Sequence, residues 1–191
     1  MKKMCLLIAV LCAGAILPLA ASSDHSFFPV YNVNHLATTG GDTYDFYSLG
    51  FNYTYNARRK FGLFSSLSVL FPTRSNQNGE TFKNSDYYKS MLSIDLMVGA
   101  GSKLPAGERV TFVPSLGLHI NGIRLRGKDL YRDFTNLTTG IGTNVQARYA
   151  ISRSIEGITF VSGSWDFIDL IHTENQLKNG LACTVGMGLT F

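Results

Sequence analysis

The stretch Leu181–Phe191, which reads LACTVGMGLTF, alternates between two kinds of residue. The odd positions are apolar: Leu181, Cys183, Val185, Met187, Leu189 and Phe191. The even positions are small or weakly polar: Ala182, Thr184, Gly186, Gly188 and Thr190. A period of two is that of a β-strand, whose successive side chains point to opposite faces. The stretch predicts a strand with one apolar face and one slim face, which suits the closing wall of a barrel in lipid.

Earlier parts of the chain repeat this pattern. The segments are 27–38, 44–56, 61–71, 88–100, 110–122, 137–149 and 154–167. The first is the weakest, and the phase of the last is blurred because Ile158 and Phe160 share a face with polar residues. No stretch after residue 22 has a sustained helical period. With the terminal strand, the pattern predicts an all-β fold, an eight-stranded antiparallel up-and-down transmembrane β-barrel.

The beginning of the chain has the composition of an export signal. Lys2 and Lys3 precede an apolar run that ends at Ala21, and small residues around Ser22 suit cleavage. We expect a secretory signal peptide over 1–22, with an anchoring helix as the alternative, and a single barrel domain over 23–191. Loss of the two lysines takes the formal charge from +4 to +2. This balance gives no reason to expect a nucleic-acid partner.

Cysteine usage argues against disulfides and cysteine-based metal sites. Cys5 and Cys12 lie in the expected signal, which leaves Cys183 without a partner. We therefore expect no metal and no cofactor.

The connections between the segments predict the topology. The turns at 57–60, 101–109 and 150–153 are short or of middling length. The connections at 72–86, 123–134 and 168–178 are longer and polar, and only that at 39–43 is short. Short periplasmic turns and longer outer loops are typical of bacterial outer-membrane barrels.

The predicted leader, the eight alternating segments and the closing Val185–Phe191 stretch together resemble the small eight-stranded outer-membrane barrels. That group includes the OmpA transmembrane domain, OmpX, OmpW and the opacity proteins, and no subfamily motif separates them here. The resemblance implies the outer membrane of a diderm bacterium, contact with its lipid, and loops exposed at the cell surface. It also implies that the barrel-assembly machinery reads the strand ending in Phe191. The group includes anchors, adhesins, narrow channels and lipid A modifying enzymes, so the fold leaves the function open.

The inward faces supply the first candidate site residues. The lumen-facing polar candidates are Lys89, Asp95, His119, Asn121, Asn144, Gln146, Arg148 and Glu156. Arg148 and Glu156 flank a turn and should lie side by side across a hairpin, either as a structural ion pair or as part of a gate. Small residues in the sixth and eighth strands suggest free volume for a slim solute. We therefore predict a narrow conduit or binding pocket for small, partly apolar solutes.

Two other functions compete with the conduit. A lipid A deacylase of this fold carries a Ser two residues after its His, but His119 is followed at that spacing by Asn121. A site built from Ser115, His119 and Asp95 is not demanded by the spacing, so we expect no catalytic residues and no enzyme. The other alternative is a non-conducting surface adhesin or structural protein. Its candidate contacts with host ligands are the loop residues Arg124, Arg126, Lys128 and Arg132.

Overall fold

The computed structural model describes residues 23–57, 60–128, 130–152, 155–172 and 176–190. These residues form the following elements, in chain order: β1 (Ser23–Thr38), β2 (Thr43–Ala57), β3 (Phe61–Gln77), β4 (Glu80–Lys83), α1 (Asn84–Tyr87), β5 (Tyr88–Ser102), β6 (Leu104–Pro105), β7 (Val110–Gly127), β8 (Phe134–Ala150), β9 (Glu156–His172) and β10 (Leu177–Thr190). None of the described residues forms a helix long and apolar enough to cross a bilayer. The expected signal peptide and Phe191 lie outside the described residues.

Eight long antiparallel strands close into a barrel. Each pairs with its neighbour in the order β1, β2, β3, β5, β7, β8, β9, β10, and β10 pairs back onto β1 from Val30↔Gly186 to Thr38↔Leu177. The predicted eight-stranded barrel is confirmed. Strand β4 pairs only with β3, and the two-residue β6 only with β7. We call the end of the barrel that carries Ser23 and Thr190 the lower rim and the opposite end the upper rim.

The side-chain alternation predicted from the sequence holds around the barrel. Apolar side chains cover the outer face, among them Phe51, Leu63, Leu116, Leu118, Ile141, Val161, Leu181 and Met187, each between 46 % and 70 % exposed. The blurred seventh segment is resolved here, because Ile158 and Phe160 are buried in the lumen while Val161 and Trp165 are exposed. An outer wall of this composition is typical of a barrel surface that faces lipid.

The strands reach further at the upper rim than predicted, so the expected long outer loops are wrong. Strand β3 runs on to Gln77 and turns at Asn78 and Gly79, which have φ of 51° and 93°. Positive φ at both central residues is the two-residue hairpin geometry that Asn-Gly favours. Strand β7 runs to Gly127 because Ile123 and Leu125 still find apolar partners in the lumen.

Side chains fill the lumen in layers. An apolar cluster of Phe28, Val30, Leu70, Ile158 and Phe160 occupies the lower half. A second cluster, of Leu36, Phe46, Ile123, Leu125, Phe134 and Leu177, closes the upper end. Between the two lie buried polar side chains, His119 and Asp166 among them. An eight-stranded barrel is just narrow enough to be packed in this way.

Strands β8 and β9 approach each other closely at Gly140. A Cβ added at Gly140 would overlap the carbonyl oxygen of Trp165 on β9, whereas a Cβ at Gly163 meets nothing closer than 3.9 Å. We expect Gly140→Ala to destabilise the refolded barrel by about 1–3 kcal/mol, because backbone must move to admit the methyl group. Gly163→Ala, the matched control, should be neutral or slightly stabilising. Urea unfolding in lipid vesicles measures both, and equal effects would show that the two strands are not packed this closely.

Candidate functional site

The centre of the lumen holds a chain of hydrogen bonds built on His119. Its Nδ1 lies 2.7 Å from Oδ1 of Asp166, and its Nε2 lies 3.0 Å from Oδ2 of Asp95. The hydroxyl of Thr138 donates to the other oxygen of Asp166 at 2.7 Å. The side chains of Asp95, His119 and Asp166, which we call the Asp–His–Asp cluster, are only 9 %, 3 % and 3 % exposed.

Strand register explains how these residues meet. His119 on β7 pairs with Gly140 on β8, and Gly140 pairs with Asp166 on β9. Because Gly140 has no side chain, His119 and Asp166 touch across it. Asp95 lies on β5 opposite Asn121 and reaches His119 diagonally. Three inward side chains from three strands therefore converge on one point.

The number of protons in this cluster follows from its geometry. Each of the two contacts between imidazole and carboxylate is a hydrogen bond that needs one proton. A neutral imidazole between two carboxylates supplies only one, so the cluster contains at least one more proton. In its simplest form it is an imidazolium between two carboxylates, with a net charge of −1. His119 is thus held between two acceptors and has no free nitrogen.

The arrangement gives His119 no role as a general base toward Ser115. The Ser115 hydroxyl is buried and has no hydrogen-bond partner among the described residues. Both His119 nitrogens already face carboxylates, so neither can take a proton from a serine. The Ser115, His119 and Asp95 combination considered from the sequence is not assembled as a catalytic triad.

Asn121, Asn144 and Gln146 lie in the lumen, each no more than 1 % exposed. Within the described part of the chain, the side-chain oxygen and nitrogen of Asn121 and of Asn144 make no hydrogen bonds. Gln146 Oε1 accepts from Asn56 at 3.2 Å and from Arg148 at 3.1 and 3.2 Å. Asn144 and Gln146 form a polar layer beneath the Asp–His–Asp cluster, since they pair with Ser115 and Val113. Asn121 lies above His119 on β7, opposite Asp95.

The expected ion pair of Arg148 and Glu156 is present at the lower rim, together with a shorter contact that the sequence did not indicate. The Arg148 guanidinium lies 2.8 Å from Asp24 and 3.8 Å from Glu156, whose side chain is 42 % exposed. Lys103 reaches the same Asp24 oxygen at 2.5 Å. Glu156 is therefore the secondary partner of Arg148, and Asp24 is the main one. The sequence could not indicate this pair because 124 positions separate the two residues.

Lys89 is exposed, and its placement in the lumen is wrong. The pairing of β5 with β7 shifts between Tyr88 and Ser90, and this irregularity breaks the alternation at Lys89. Asp166 was missed as a site residue, although its inward phase was visible in the seventh segment. Its position on the same face as the apolar residues Ile158 and Phe160 could have identified Asp166 as a buried carboxylate.

The assignment of Arg124 and Arg126 to a loop is also wrong. Both are exposed on β7, opposite Leu92 and Ser90 of β5. Lys128 and Arg132 do lie in the connection that follows, where Lys128 donates to the carbonyl of Ser85 at 2.5 Å.

Further basic residues are exposed on the neighbouring strands. Arg74 on β3 pairs directly with Lys83 on β4, and Lys89 lies on β5. We call the exposed set Arg74, Lys83, Lys89, Arg124 and Arg126 the basic face. Arg74 and Lys83 were missed because they lie in a stretch expected to be an irregular loop.

A closed eight-stranded antiparallel wall, apolar outside and packed with side chains inside, defines the fold of the small outer-membrane β-barrels. Neisserial surface protein A (NspA) has this fold and matches with a TM-score of 0.54 at 12 % sequence identity, over 87 % of this chain and 97 % of its own. Ail, the attachment invasion locus protein of Yersinia pestis, matches with a TM-score of 0.52 at 14 % identity, over 89 % and 97 %.

A second Ail structure, in complex with the heparin analogue sucrose octasulfate, matches with a TM-score of 0.50 at 12 % identity, over 88 % of this chain and 97 % of that one. No protein-family model and no curated protein sequence matches the chain. At these identities the likeness shows the fold.

Proposed function

We propose that this chain is a non-catalytic, non-conducting outer-membrane protein that binds polyanions at the cell surface through its basic face. The observation that carries the proposal is the combination of a packed lumen with an exposed set of cations on one side of the upper rim that form no ion pair with the described residues.

The packed lumen is the argument against the conduit. A solute would have to pass the upper apolar cluster, the Asp–His–Asp cluster and the lower apolar cluster in turn. Side chains also occupy the free volume that was expected beside the small residues. A Cβ at Gly142 would lie 3.2 Å from Sδ of Met97 and 3.3 Å from Cβ of His119. A lumen filled with side chains in this way leaves no path for a molecule larger than water.

The basic face is the argument for an anionic ligand. Within the described part of the chain, none of its five side chains forms an ion pair. Arg74 and Lys83 are directly opposite each other on paired strands, an arrangement that like charges disfavour unless an anion lies between them. The set lies at the upper edge of the apolar outer wall, since Arg124 is paired with Leu92 of that wall. Arginine forks are well suited to sulfate and phosphate groups.

The likeness to Ail also supports an anionic ligand. One Ail structure holds a heparin analogue, a small polysulfated sugar. A barrel of the same shape with cations at its upper rim could meet such a ligand in the same general way. We therefore take a sulfated glycan as the first probe.

The test is binding of heparin to refolded protein at low ionic strength. The triple variant Arg74→Ser, Arg124→Ser, Arg126→Ser should bind about 100-fold more weakly, since each basic residue near an anionic surface contributes roughly 1 kcal/mol. The control variant Lys60→Ser, Arg109→Ser removes exposed cations at the lower rim and should bind normally. Affinity of the unmutated protein should fall as salt rises. No binding by the unmutated protein, or an equal loss in the control, would contradict the proposal.

Single-channel recording separates this proposal from the conduit. Refolded protein in planar bilayers should show no stepwise conductance. Reproducible steps that disappear when the lumen is filled, for example in Ala182→Leu, would restore the conduit.

A further inference from the structure

The Asp–His–Asp cluster leaves one negative charge buried. Two hydrogen bonds need two protons, and two protons shared among two carboxylates and one imidazole leave a net charge of −1. A single buried charge without a partner is costly in a packed interior, where the effective dielectric constant is low. The oxygens of Asp166 are both engaged, by His119 and Thr138. Only Oδ2 of Asp95 is bonded to His119, so the second Asp95 oxygen is the one left to meet a compensating group.

A small cavity lies where that group would be. Its volume is about 10 Å³, which is about the smallest cavity that can hold one water molecule. The residues around it come from five strands: Ser66, Asp95, Met97, His119, Ser162, Gly163, Ser164, Ala182 and Thr184. Neither lysine nor arginine lines the cavity, so no side chain of the wall supplies the missing positive charge.

The wall of the cavity is rich in oxygen donors. Besides Asp95 it has the hydroxyls of Ser66, Ser162, Ser164 and Thr184. The Ser66 hydroxyl accepts from Asn52 at 2.8 Å and that of Thr184 accepts from Asn32 at 2.8 Å, and each keeps a second lone pair. Among the described residues, the hydroxyls of Ser162 and Ser164 have no hydrogen-bond partner. One carboxylate and several neutral oxygens are the ligands of a hard cation of low charge.

We propose that this cavity binds one dehydrated monovalent cation of the size of sodium, with Asp95 as the charged ligand and the four hydroxyls completing its shell. A divalent ion is disfavoured by the donor set: among the described residues, no group of three His, Cys, Asp or Glu side chains is arranged to hold a metal ion, and both nitrogens of His119 face carboxylates. The cation neutralises the buried charge and links β3, β5, β9 and β10 through the centre of the barrel. This site is independent of the basic face and of polyanion binding.

The experiment compares urea unfolding of the refolded barrel in sodium chloride and in choline chloride at equal ionic strength. Choline is far too large for the cavity, so we expect the unfolding equilibrium constant to be at least tenfold smaller in sodium chloride. Ser162→Ala, Ser164→Ala removes two ligands with little change in volume and should abolish most of the difference. Asp95→Asn should abolish all of it.

Thr138→Val is the matched control, because Thr138 bonds Asp166 and does not line the cavity. It should weaken the barrel and keep the preference for sodium. Crystals soaked in thallium(I) should show an anomalous peak within bonding distance of Asp95.

Stability that is the same in both salts but rises on acidification would mean that a third proton neutralises the cluster. Stability that changes neither with the choice of salt nor with pH would mean that the cavity holds water. Either result overturns the proposal, as does a sodium preference that survives in Asp95→Asn.

Discussion

Replacement of His119 by Leu should destabilise the barrel by about 3–5 kcal/mol, the cost of removing one partner from a buried ionic cluster. The variant leaves Asp95 and Asp166 facing each other in the lumen without the donor that both now contact. Urea unfolding in lipid vesicles gives the free energy. The fraction that keeps its fast mobility in unboiled sodium dodecyl sulfate gives the yield of folded barrel.

The triple variant His119→Leu, Asp95→Asn, Asp166→Asn distinguishes loss of a charged partner from loss of packing. Once both carboxylates are neutral, no uncompensated charge is buried, and most of the lost stability should return. If the single variant costs less than about 1 kcal/mol, or if the triple variant is as unstable as the single one, the cluster does not carry the charges that its hydrogen bonds indicate.

Leu118→Arg should have the second largest effect, about 2–4 kcal/mol, because it places a cation on the lipid face near the middle of the bilayer. Leu118 is 70 % exposed and lies on β7 between outward-facing Phe112 near the lower rim and Arg124 at the upper one. Refolding into vesicles should show a lower yield and an earlier unfolding midpoint.

Ser90→Arg is the control for this substitution. Ser90 is exposed on β5 at the level of Arg126, beyond the apolar wall, so the same side chain there should cost about 0–1 kcal/mol. Equal costs at the two positions would mean that the apolar outer face of the barrel is not in contact with lipid.

The alternation of residue types was enough to predict much of this molecule. Within the described residues, each of the eight segments overlaps a different one of the eight barrel strands, and the phase placed Asp95, His119 and Arg148 inward, where the structure has them. The sequence predicts which face of a strand each residue occupies, because successive side chains along a strand point to opposite faces. Where the register between two strands shifts, as at Lys89, the alternation no longer predicts the face.

The upper ends of the strands could not be predicted in the same way. The stretch around Arg124 and Arg126 looks like a polar loop, yet Ile123 and Leu125, which alternate with the two arginines, point inward and are buried. They are buried because Leu36, Phe46, Phe134 and Leu177 come from other strands to meet them. The sheet continues past the apolar wall for a reason found only in the assembled barrel.

The amino-acid sequence by itself determined the class of fold, the two faces of most strands and many of the lumen-facing residues, since these follow from a period of two and from the polarity of each residue. Only the tertiary structure decided which inward residues touch. His119 meets Asp166 because register places Gly140 between them, and Arg148 meets Asp24 because the barrel closes β1 onto β10. Contacts across a closed sheet depend on register and closure together, and neither is a property of any one strand.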